Sequence, residues 1–330
     1  MSLGTHHGDH GGGTRTDMAE VVAVVGRIRD AIETVIEGKP EVLRVALAVL
    51  LAEGHLLIED VPGVGKTMLA KALGRAVDCS VQRIQFTPDL LPGDITGVSV
   101  YHQERREFEF DPGPVFANIV LGDEINRASP KTQAALLECM EERQVSVDGR
   151  TRPLERPFMV VATQNPADME GTYALPEAQR DRFMARVSVG YPSPQAELDM
   201  IDSHGSHSPL EDLAPVTDAD TVRRLADLVR DVHLAPGMRR YIVDLVNSTR
   251  TSPELDLGAS PRATLHLVRA ARAHAALEGR HYVIPDDVQS LAVPVLAHRL
   301  LVGPQAQLER TSPEQIVAKL VARLPVPAPR

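Results

Sequence analysis

Aromatic residues and cysteine are scarce in this chain of 330 residues, and tryptophan is absent. Aromatic side chains make up 3% of the chain, so there is little material for the stacking platforms on which single-stranded nucleic acids bind. Because only two cysteines occur, Cys79 and Cys139, a disulfide framework is excluded. Small buried thiols in a reducing compartment are expected at both positions.

Long apolar runs and an excess of basic residues are also missing. No stretch has the roughly eighteen uninterrupted apolar residues of a membrane helix, so no membrane span is expected. Residues 1–17, MSLGTHHGDHGGGTRTD, lack the apolar core of a signal peptide and the basic residues of a transit peptide, which predicts a cytoplasmic protein. The formal net charge of −10 argues against a protein whose main task is to bind the nucleic-acid backbone, although a ring of subunits could line a basic pore.

Two regions with different patterns follow the glycine-rich start. In the first, helical stretches alternate with short apolar runs at 55–58, 80–86, 118–124, 158–164 and 185–189. This alternation predicts an α/β domain with a parallel five-stranded sheet flanked by helices. From Gln195 onward only helical patterns remain, which predicts a second, all-helical domain.

The expected organisation is a disordered tail at 1–16, an α/β core at 17–192, a helical domain at 193–324 and a short tail at 325–330. The first tail contains His6, His7 and His10. These histidines could in principle bind a metal ion, but the surrounding glycines would not hold the imidazole rings in a fixed geometry.

Two segments inside the α/β core have the pattern of β-hairpins. Near 94–113, two alternating arms flank a charged tip. At 144–155, Asp148 and Gly149 lie between two alternating arms, which is the strongest short-range signal for a hairpin. Either segment could be an ordinary surface hairpin.

The segment 56–70, LLIEDVPGVGKTMLA, has the pattern of a strand, a glycine-rich turn and a helix. Such a turn binds phosphate because its backbone N–H groups point inward and glycine leaves the approach open. Lys66 would reach the β- and γ-phosphates, and the Thr67 hydroxyl would bind Mg²⁺. Asp60 stands where the usual pattern has glycine, at the strand end of the loop, where phosphate contact is least required. The predicted nucleotide-binding residues are Pro62, Gly63, Val64, Gly65, Lys66, Thr67 and Met68.

Polar residues also end two other predicted strands. Asp123 and Glu124 follow one of them, at the edge where open α/β sheets bind ligands. Asp123 would hold Mg²⁺ through water, and Glu124 would polarise the water that attacks the γ-phosphate, which favours hydrolysis over transfer to a metabolite. Asn165 ends the next strand and would sense the γ-phosphate, unless it only starts a turn before Pro166.

Several arginines could stabilise phosphate charge. Arg180, Arg182 and Arg186 surround a short predicted helix, and an arginine at a subunit edge could enter a neighbour's site. In the helical domain, Ser260 is a typical helix N-cap and places Arg262 in the first turn, from which it could reach phosphate. For each of them, a solvated or salt-bridged surface arginine is the alternative.

The order of these motifs resembles the AAA+ ATPases, and the sequences between them resemble the MoxR family. The likeness is carried by RIQFTPDLLPGDITG at 83–97, FEFDPGPVFANIVLGDEINRASPKTQAALLECMEERQVSVDG at 108–149 and VVATQNPADMEGTYALPEAQRDRFMARV at 160–187. In the helical domain, GASPRA and DDVQSLAVPVLAHRL resemble the family's lid. The likeness covers about residues 20–325, and its motifs are long and specific.

The resemblance implies a P-loop AAA+ core with a C-terminal helical lid. The segment near 94–113 resembles the family's helix-two insertion, and 144–155 resembles the hairpin before sensor one. Matched position by position, the implied roles are Lys66 and Thr67 in the P-loop, Asp123 and Glu124 in the second Walker motif, Asn165 as sensor one, Arg182 as arginine finger and Arg262 as sensor two. Arg180 leaves the finger assignment open between two neighbouring arginines.

The resemblance also implies the ligands and partners. ATP and Mg²⁺ would bind at the interfaces of a homo-oligomeric ring, usually a hexamer. Proteins of the MoxR family look like chaperones that remodel or mature client proteins, often with a partner that has a von Willebrand factor type A domain.

Two other functions stay open at this point. A nucleic-acid translocase is one, because helicase relatives share both insertions and Arg150 and Arg152 lie near the second hairpin tip; the negative net charge opposes it. A nucleotide-gated scaffold with little turnover is the other, which the presence of Glu124, Asn165 and Arg182 opposes. A GTPase is disfavoured because the chain lacks an Asn-Lys-x-Asp type sequence for guanine.

Overall fold

The first domain is built on a parallel sheet of five strands. The computed structural model describes residues 11–36, 38–61, 65–165, 173–191, 194, 198 and 209–327. The strands of the domain are β1 Leu56–Glu59, β2 Val81–Gln85, β3 Gly97–His102, β4 Glu107–Pro112, β5 Ile119–Asp123, β6 Gln144–Val147, β7 Arg150–Pro153, β8 Met159–Gln164 and β9 Ala185–Val187. The sheet has the order β2-β5-β8-β1-β9 with parallel neighbours throughout, so the predicted fold class is confirmed.

The central strands are buried on both faces. In β1, Leu56 and Ile58 join one apolar cluster, whereas Leu57 between them joins the other. Side chains alternate across a strand with a period of two, so each central strand supplies both layers. This explains why the strands appear in the sequence as continuous apolar runs rather than as alternating patterns.

Helices cover both faces of the sheet. Those of the first domain are Gly11–Glu33, Pro40–Leu51, Lys66–Ala76, Pro92–Thr96, Pro130–Glu142 and Glu177–Arg180, with a 3₁₀ turn at Ile125–Arg127. The first helix begins at Gly11, whereas the sequence predicted a tail up to residue 16 and a helix from Asp17. The prediction was based on apolar side chains, and the first buried one in this helix is Met18.

The two insertions are antiparallel hairpins within the predicted ranges. β3 pairs with β4, and β6 pairs with β7. At the second tip, Asp148 and Gly149 have φ angles of 52° and 71°, the left-handed pair that a tight two-residue turn requires. Arg152 of the second hairpin lies over the ring of Phe110 in the first, 3.8 Å from its centroid, so the two insertions are in contact.

The second domain is helical, as predicted, with one departure. Among the described residues, its helices are Pro209–Asp212, Ala219–Arg230, Pro236–Thr251, Pro261–Leu277, Pro285–Leu296, Pro304–Leu308 and Pro313–Arg323, with a 3₁₀ turn at Ala297–Arg299. An antiparallel pair, β10 Leu255–Leu257 and β11 Leu301–Val302, was not predicted. Strands this short contain too few residues for an alternating pattern to be recognised. None of the helices in the described part of the chain has the length and apolar composition needed to span a bilayer.

The two domains share one apolar core and a buried ion cluster. Ile28 and Leu47 of the first domain belong to the same cluster of buried residues as Leu267 of the second. Glu53, which is 4% exposed, pairs with Arg156 at 2.5 Å and also with Arg230 of the helical domain. Burial by itself would raise the pKa of Glu53, but the hydrogen bond from Arg156 and the nearby arginine charges hold it below its ordinary value. The helical domain is therefore anchored on the core.

Candidate active site

The polar residues predicted to handle phosphate meet at the carboxyl edge of the sheet. Lys66 and Thr67 follow β1, Asp123 and Glu124 come at the end of β5, and Asn165 follows β8. Because β5, β8 and β1 are neighbours in the sheet, their carboxyl ends lie side by side. The topology thus brings together residues that are up to a hundred positions apart in the chain.

The phosphate loop is described from Gly65 onward, and Pro62, Gly63 and Val64 lie outside the described residues. Gly65 has a φ of +87°, and a Cβ added there would meet no heavy atom within 4 Å, so the loop is open on that side. The helix that starts at Lys66 and contains Thr67 and Met68 presents its amino end to this space. The Lys66 ammonium donates to the carbonyl oxygens of Asp60, at 2.7 Å, and Gln164, at 3.4 Å.

Asp60 has a role that the sequence left open. Its side chain accepts hydrogen bonds from Val61 N at 2.8 Å, Ser188 Oγ at 2.8 Å and Gly190 N at 2.5 Å. Burial alone would raise the pKa of Asp60, but these donors lower it, so the carboxylate form is favoured. The Asp60 carboxylate therefore connects the start of the phosphate loop to the segment after β9, and its hydrogen bonds stabilise the backbone there.

Asp123 is 8% exposed and accepts from three side chains. Thr163 Oγ1 donates to Oδ1 at 2.6 Å, and Arg83 donates to Oδ2 at 2.7 Å. Thr67 Oγ1 lies 3.5 Å from Oδ2, at the outer limit of a hydrogen bond. Two hard oxygen donors, the Thr67 hydroxyl and the Asp123 carboxylate, thus face one space, which fits Mg²⁺. No group of three acidic, histidine or cysteine side chains lies close enough to hold a metal among the described residues, so phosphate and water would supply the other ligands.

Glu124 is held in a strained backbone conformation next to Asp123. Its φ of 55° is left-handed, which is uncommon for a residue with a side chain and concentrates at functional sites. The backbone N–H of Glu124 donates to Thr163 Oγ1 at 2.9 Å. Its carboxylate accepts from Arg127 Nη1 at 2.9 Å and from Gln85 Nε2 at 3.0 Å. These contacts fix a carboxylate at the sheet edge, as a general base requires.

Arg83, Gln85 and Thr163 belong to the site but were not identified from the sequence. Arg83 and Gln85 lie two positions apart on β2, so they face the same side of the sheet, and Arg83 Nη2 donates to Gln85 Oε1 at 2.6 Å. Ile84, between them, is the one buried residue of β2, so the alternation of polar residues around it was the available signal. Asn165 lies at the end of β8 and is 4% exposed, and the residues that follow it, 166–172, lie outside the described part of the chain.

Arg182 and Arg262 lie together, but at the other edge of the sheet. Both pair with Glu141: Arg182 Nε is 3.0 Å from Glu141 Oε2, and Arg262 Nη2 contacts Glu141 Oε1. Arg262 Nη1 also pairs with Asp181 at 3.2 Å. The alternative candidate, Arg180, pairs with Glu177 of its own short helix at 3.6 Å.

The position of this cluster follows from the direction of the elements. Arg182 precedes β9, which runs parallel to β1, whereas Lys66 follows β1. Strands of this length separate their two ends by about 10–20 Å. Arg262 therefore does not lie at the phosphate loop of its own chain, in contrast to the expectation that it could reach phosphate from its helix.

His55 is a neutral histidine directly before β1, at the amino end of the sheet, which is also the edge where Arg182 lies. His55 Nδ1 accepts the N–H of Val160 at 3.0 Å, and Nε2 lies 3.0 Å from the carbonyl oxygen of Met140. Nδ1 must be unprotonated to accept this hydrogen bond. A second proton on the ring would therefore place an Nδ1–H donor opposite the Val160 N–H donor. Burial, helped by the charges of Arg143 and Arg269, lowers the pKa of His55 to about 3, although the hydrogen bond to Met140 acts in the opposite direction.

We expect acid to destabilise the folded chain through His55. Its folded-state pKa of about 3 lies below the ordinary value of 6.5, so the unfolded chain takes up the proton first. Stability is complete above about pH 6.5 and falls toward pH 3, by about 1.4 kcal/mol per pH unit for one proton. Urea unfolding at several pH values measures this slope. His55→Gln should reduce it by about one proton, whereas the control His281→Gln, at an exposed position, should leave it unchanged.

Comparison with known proteins gives a consistent set of relatives. Residues 55–185 match the model of the ATPase family associated with various cellular activities (AAA), and residues 247–320 match the AAA lid domain. The chain is 48% identical to the protein YeaC of Bacillus subtilis, over 93% of this chain and 96% of the relative. It is 41% identical to Chaperone MoxR1 of Mycobacterium tuberculosis (94% and 84% covered) and 33% identical to Protein MoxR of Paracoccus denitrificans (92% and 97%). A crystal structure from Cytophaga hutchinsonii, described as a candidate ATPase, is 34% identical with a TM-score of 0.87, covering 96% of this chain and 98% of the other.

Proposed function

The chain belongs to the MoxR family of AAA+ ATPases and is an ATPase, and on this basis we propose that it forms a homo-oligomeric ring, a hexamer, that uses ATP hydrolysis to remodel or mature client proteins. The observation that carries the proposal is the separation of the site into two halves. The phosphate loop and acidic pair lie at one edge of the sheet, and the arginines lie at the other. In a ring, a second copy would place its arginine cluster against the first copy's phosphate loop.

The proposed roles at the carboxyl edge follow from the contacts there. Gly65, Lys66 and the residues around them bind the triphosphate, while Thr67 and Asp123 would hold Mg²⁺, which would neutralise phosphate charge. Glu124 takes a proton from the attacking water as the water oxygen bonds to the γ-phosphorus. The bond from that phosphorus to the β,γ-bridging oxygen breaks, which releases ADP and phosphate. Asn165 contacts the γ-phosphate or the attacking water.

At the amino edge, Arg182 extends into the neighbouring subunit's site and stabilises the charge of the transition state. Arg262 serves the same site as sensor two, in the neighbour rather than in its own chain. The cytoplasmic location remains a prediction from the sequence.

Assembly and turnover test this arrangement together. We expect ATPγS to raise the mass measured by light scattering from that of one chain to that of a ring. The ATPase rate per subunit should rise steeply with protein concentration, because a single chain lacks half of the site. A rate per subunit that stays constant down to concentrations where only monomer is present would contradict the shared site.

The first hairpin has the properties of a client-binding surface. Tyr101 and Phe108 face each other across the hairpin with ring centroids 5.1 Å apart, and Phe108 is 73% exposed. In a chain with 3% aromatic residues, an exposed aromatic pair indicates an interaction site. Acidic residues border this pair, namely Glu104, Glu107, Glu109 and Asp111 against Arg105 and Arg106. Charge complementarity therefore favours an extended client segment in which apolar and basic residues alternate.

Replacing Phe108 tests this surface. We expect Phe108→Ala to weaken the binding of a fluorescent peptide of alternating apolar and lysine residues about tenfold, because an aromatic anchor that the bound peptide would cover is lost. Basal ATPase should be unchanged, and Leu308→Ala, at a residue 86% exposed in the helical domain, serves as control. Equal peptide binding by both variants would contradict a role for the hairpin. Tighter, salt-sensitive binding of single-stranded DNA would favour a translocase instead.

A partner with a von Willebrand factor type A domain is also part of the proposal. Affinity capture on a ring held in the ATP state would test for it.

A further inference from the structure

One carboxylate, Glu141, joins two arginines that come from different domains. Arg182 precedes the last strand of the core, and Arg262 lies in the first turn of helix Pro261–Leu277 of the helical domain. The side chains of Glu141, Arg182 and Arg262 are 36%, 28% and 35% exposed, so the cluster opens to solvent and can meet another molecule. None of the sequence motifs pointed to Glu141.

The way in which each arginine is held differs. Glu141 Oε2 forms an ion pair with Arg182 at 3.0 Å from its Nε, without hydrogen-bond geometry, and the Arg182 Nη groups make no hydrogen bond within the described part of the chain. These two Nη groups form the fork that binds phosphate oxygens in a bidentate manner. Arg262, in contrast, has one Nη group on Glu141 and the other on Asp181. Arg182 is thus presented outward, while Arg262 is engaged inward.

Asp181 adds further contacts between this cluster and the helical domain. It accepts from Ser260 Oγ at 2.8 Å and from Arg299 Nη1 at 2.6 Å, and Arg299 is 3% exposed. Both donors belong to the helical domain. The position of Arg262, and through it that of Glu141, therefore depends on how this domain sits on the core.

We propose that Glu141 is the positioning residue for Arg182 at the neighbour's phosphate site and couples that arginine to the helical domain through Arg262. The inference rests on the proposed ring. Without the carboxylate, two guanidinium groups would repel each other across the gap, and Arg182 would lose the contact that orients its Nη groups outward. Ion pairs this exposed contribute little to folding stability, so a stabilising role does not account for the arrangement.

The first test separates catalysis from binding. We expect Glu141→Gln to lower kcat about 10- to 100-fold while the KM for ATP stays within about twofold, because Lys66 and Thr67 are untouched. The melting temperature should stay at the wild-type value. Glu142→Gln is the matched control, since Glu142 is the exposed next residue of the same helix. Wild-type kcat in Glu141→Gln, or an equal loss in both variants, would overturn the inference.

The second test uses mixed rings. Arg182→Ala has an intact phosphate loop, and Glu124→Gln has intact arginines, so a mixture should hydrolyse ATP faster than either variant alone. A mixture of Glu141→Gln and Glu124→Gln should recover activity in the same way, because the defect lies on the face that serves the neighbour. If the first mixture fails, the shared site itself is wrong. If the first succeeds and the second fails, Glu141 acts within its own subunit and the inference is overturned.

Discussion

Replacing Glu124 with glutamine should stop ATP turnover while ATP binding and ring formation are kept. The amide cannot accept the proton of the attacking water, and general base catalysis of this kind contributes about 10²- to 10⁴-fold. The residues proposed to bind phosphate, Lys66 and Thr67, are unchanged. Glutamine can also still accept a hydrogen bond from Arg127, which in the native chain donates to the Glu124 carboxylate at 2.9 Å.

Steady-state phosphate release gives kcat, and a fluorescent ATP analogue gives the affinity in the same preparation. Glu138→Gln, at an exposed position of helix Pro130–Glu142, is the control and should retain wild-type turnover. Full activity of Glu124→Gln would refute its role as base. The inactive variant is also the best reagent for finding clients, because a ring held in the ATP state should keep its client and any adaptor bound during affinity capture.

Replacing Arg182 with alanine should have an effect of similar or larger size. An arginine finger contributes about 10³- to 10⁵-fold to phosphoryl transfer, so kcat is expected to fall by at least about 10³-fold. Affinity for ATP should change little, since Arg182 lies at the opposite sheet edge from the phosphate loop of its own chain.

Arg180→Ala is the informative comparison for this prediction. Arg180 pairs with Glu177 of its own helix at 3.6 Å, whereas Arg182 belongs to the Glu141 cluster. We expect Arg180→Ala to keep kcat within a few fold of the native value. A larger loss for Arg180→Ala than for Arg182→Ala would assign the finger to Arg180 instead.

Much of the fold was predictable because it follows from local sequence patterns. The central strands β1, β5 and β8 are short apolar runs buried on both faces, and they lie within two residues of their predicted limits. The turn at Asp148 and Gly149 was predictable because it needs two left-handed residues in succession. The pair β10 and β11 was missed because two or three residues do not form a pattern.

The residues predicted for phosphate binding had a chemical signal in the chain. A glycine-lysine-threonine loop between a strand and a helix is rare without a functional reason, and an acidic pair at a strand end, common by itself, becomes informative beside such a loop. Asp60, Gln85 and Glu141 had no such signal. Each is an ordinary polar residue whose role depends on a partner 39 to 130 positions away.

The sequence by itself determined the sheet, the helical domain and the residue types at the phosphate loop, because apolar periodicity and strand-end chemistry are local properties. Only the tertiary structure decided that the arginines lie at the opposite edge and meet on Glu141. That outcome depends on the direction in which helix Pro130–Glu142 returns along the sheet and on how the helical domain docks. Both are set by packing between segments distant in the chain, and the phosphate loop and the arginine cluster of one chain therefore lie at opposite edges of the sheet.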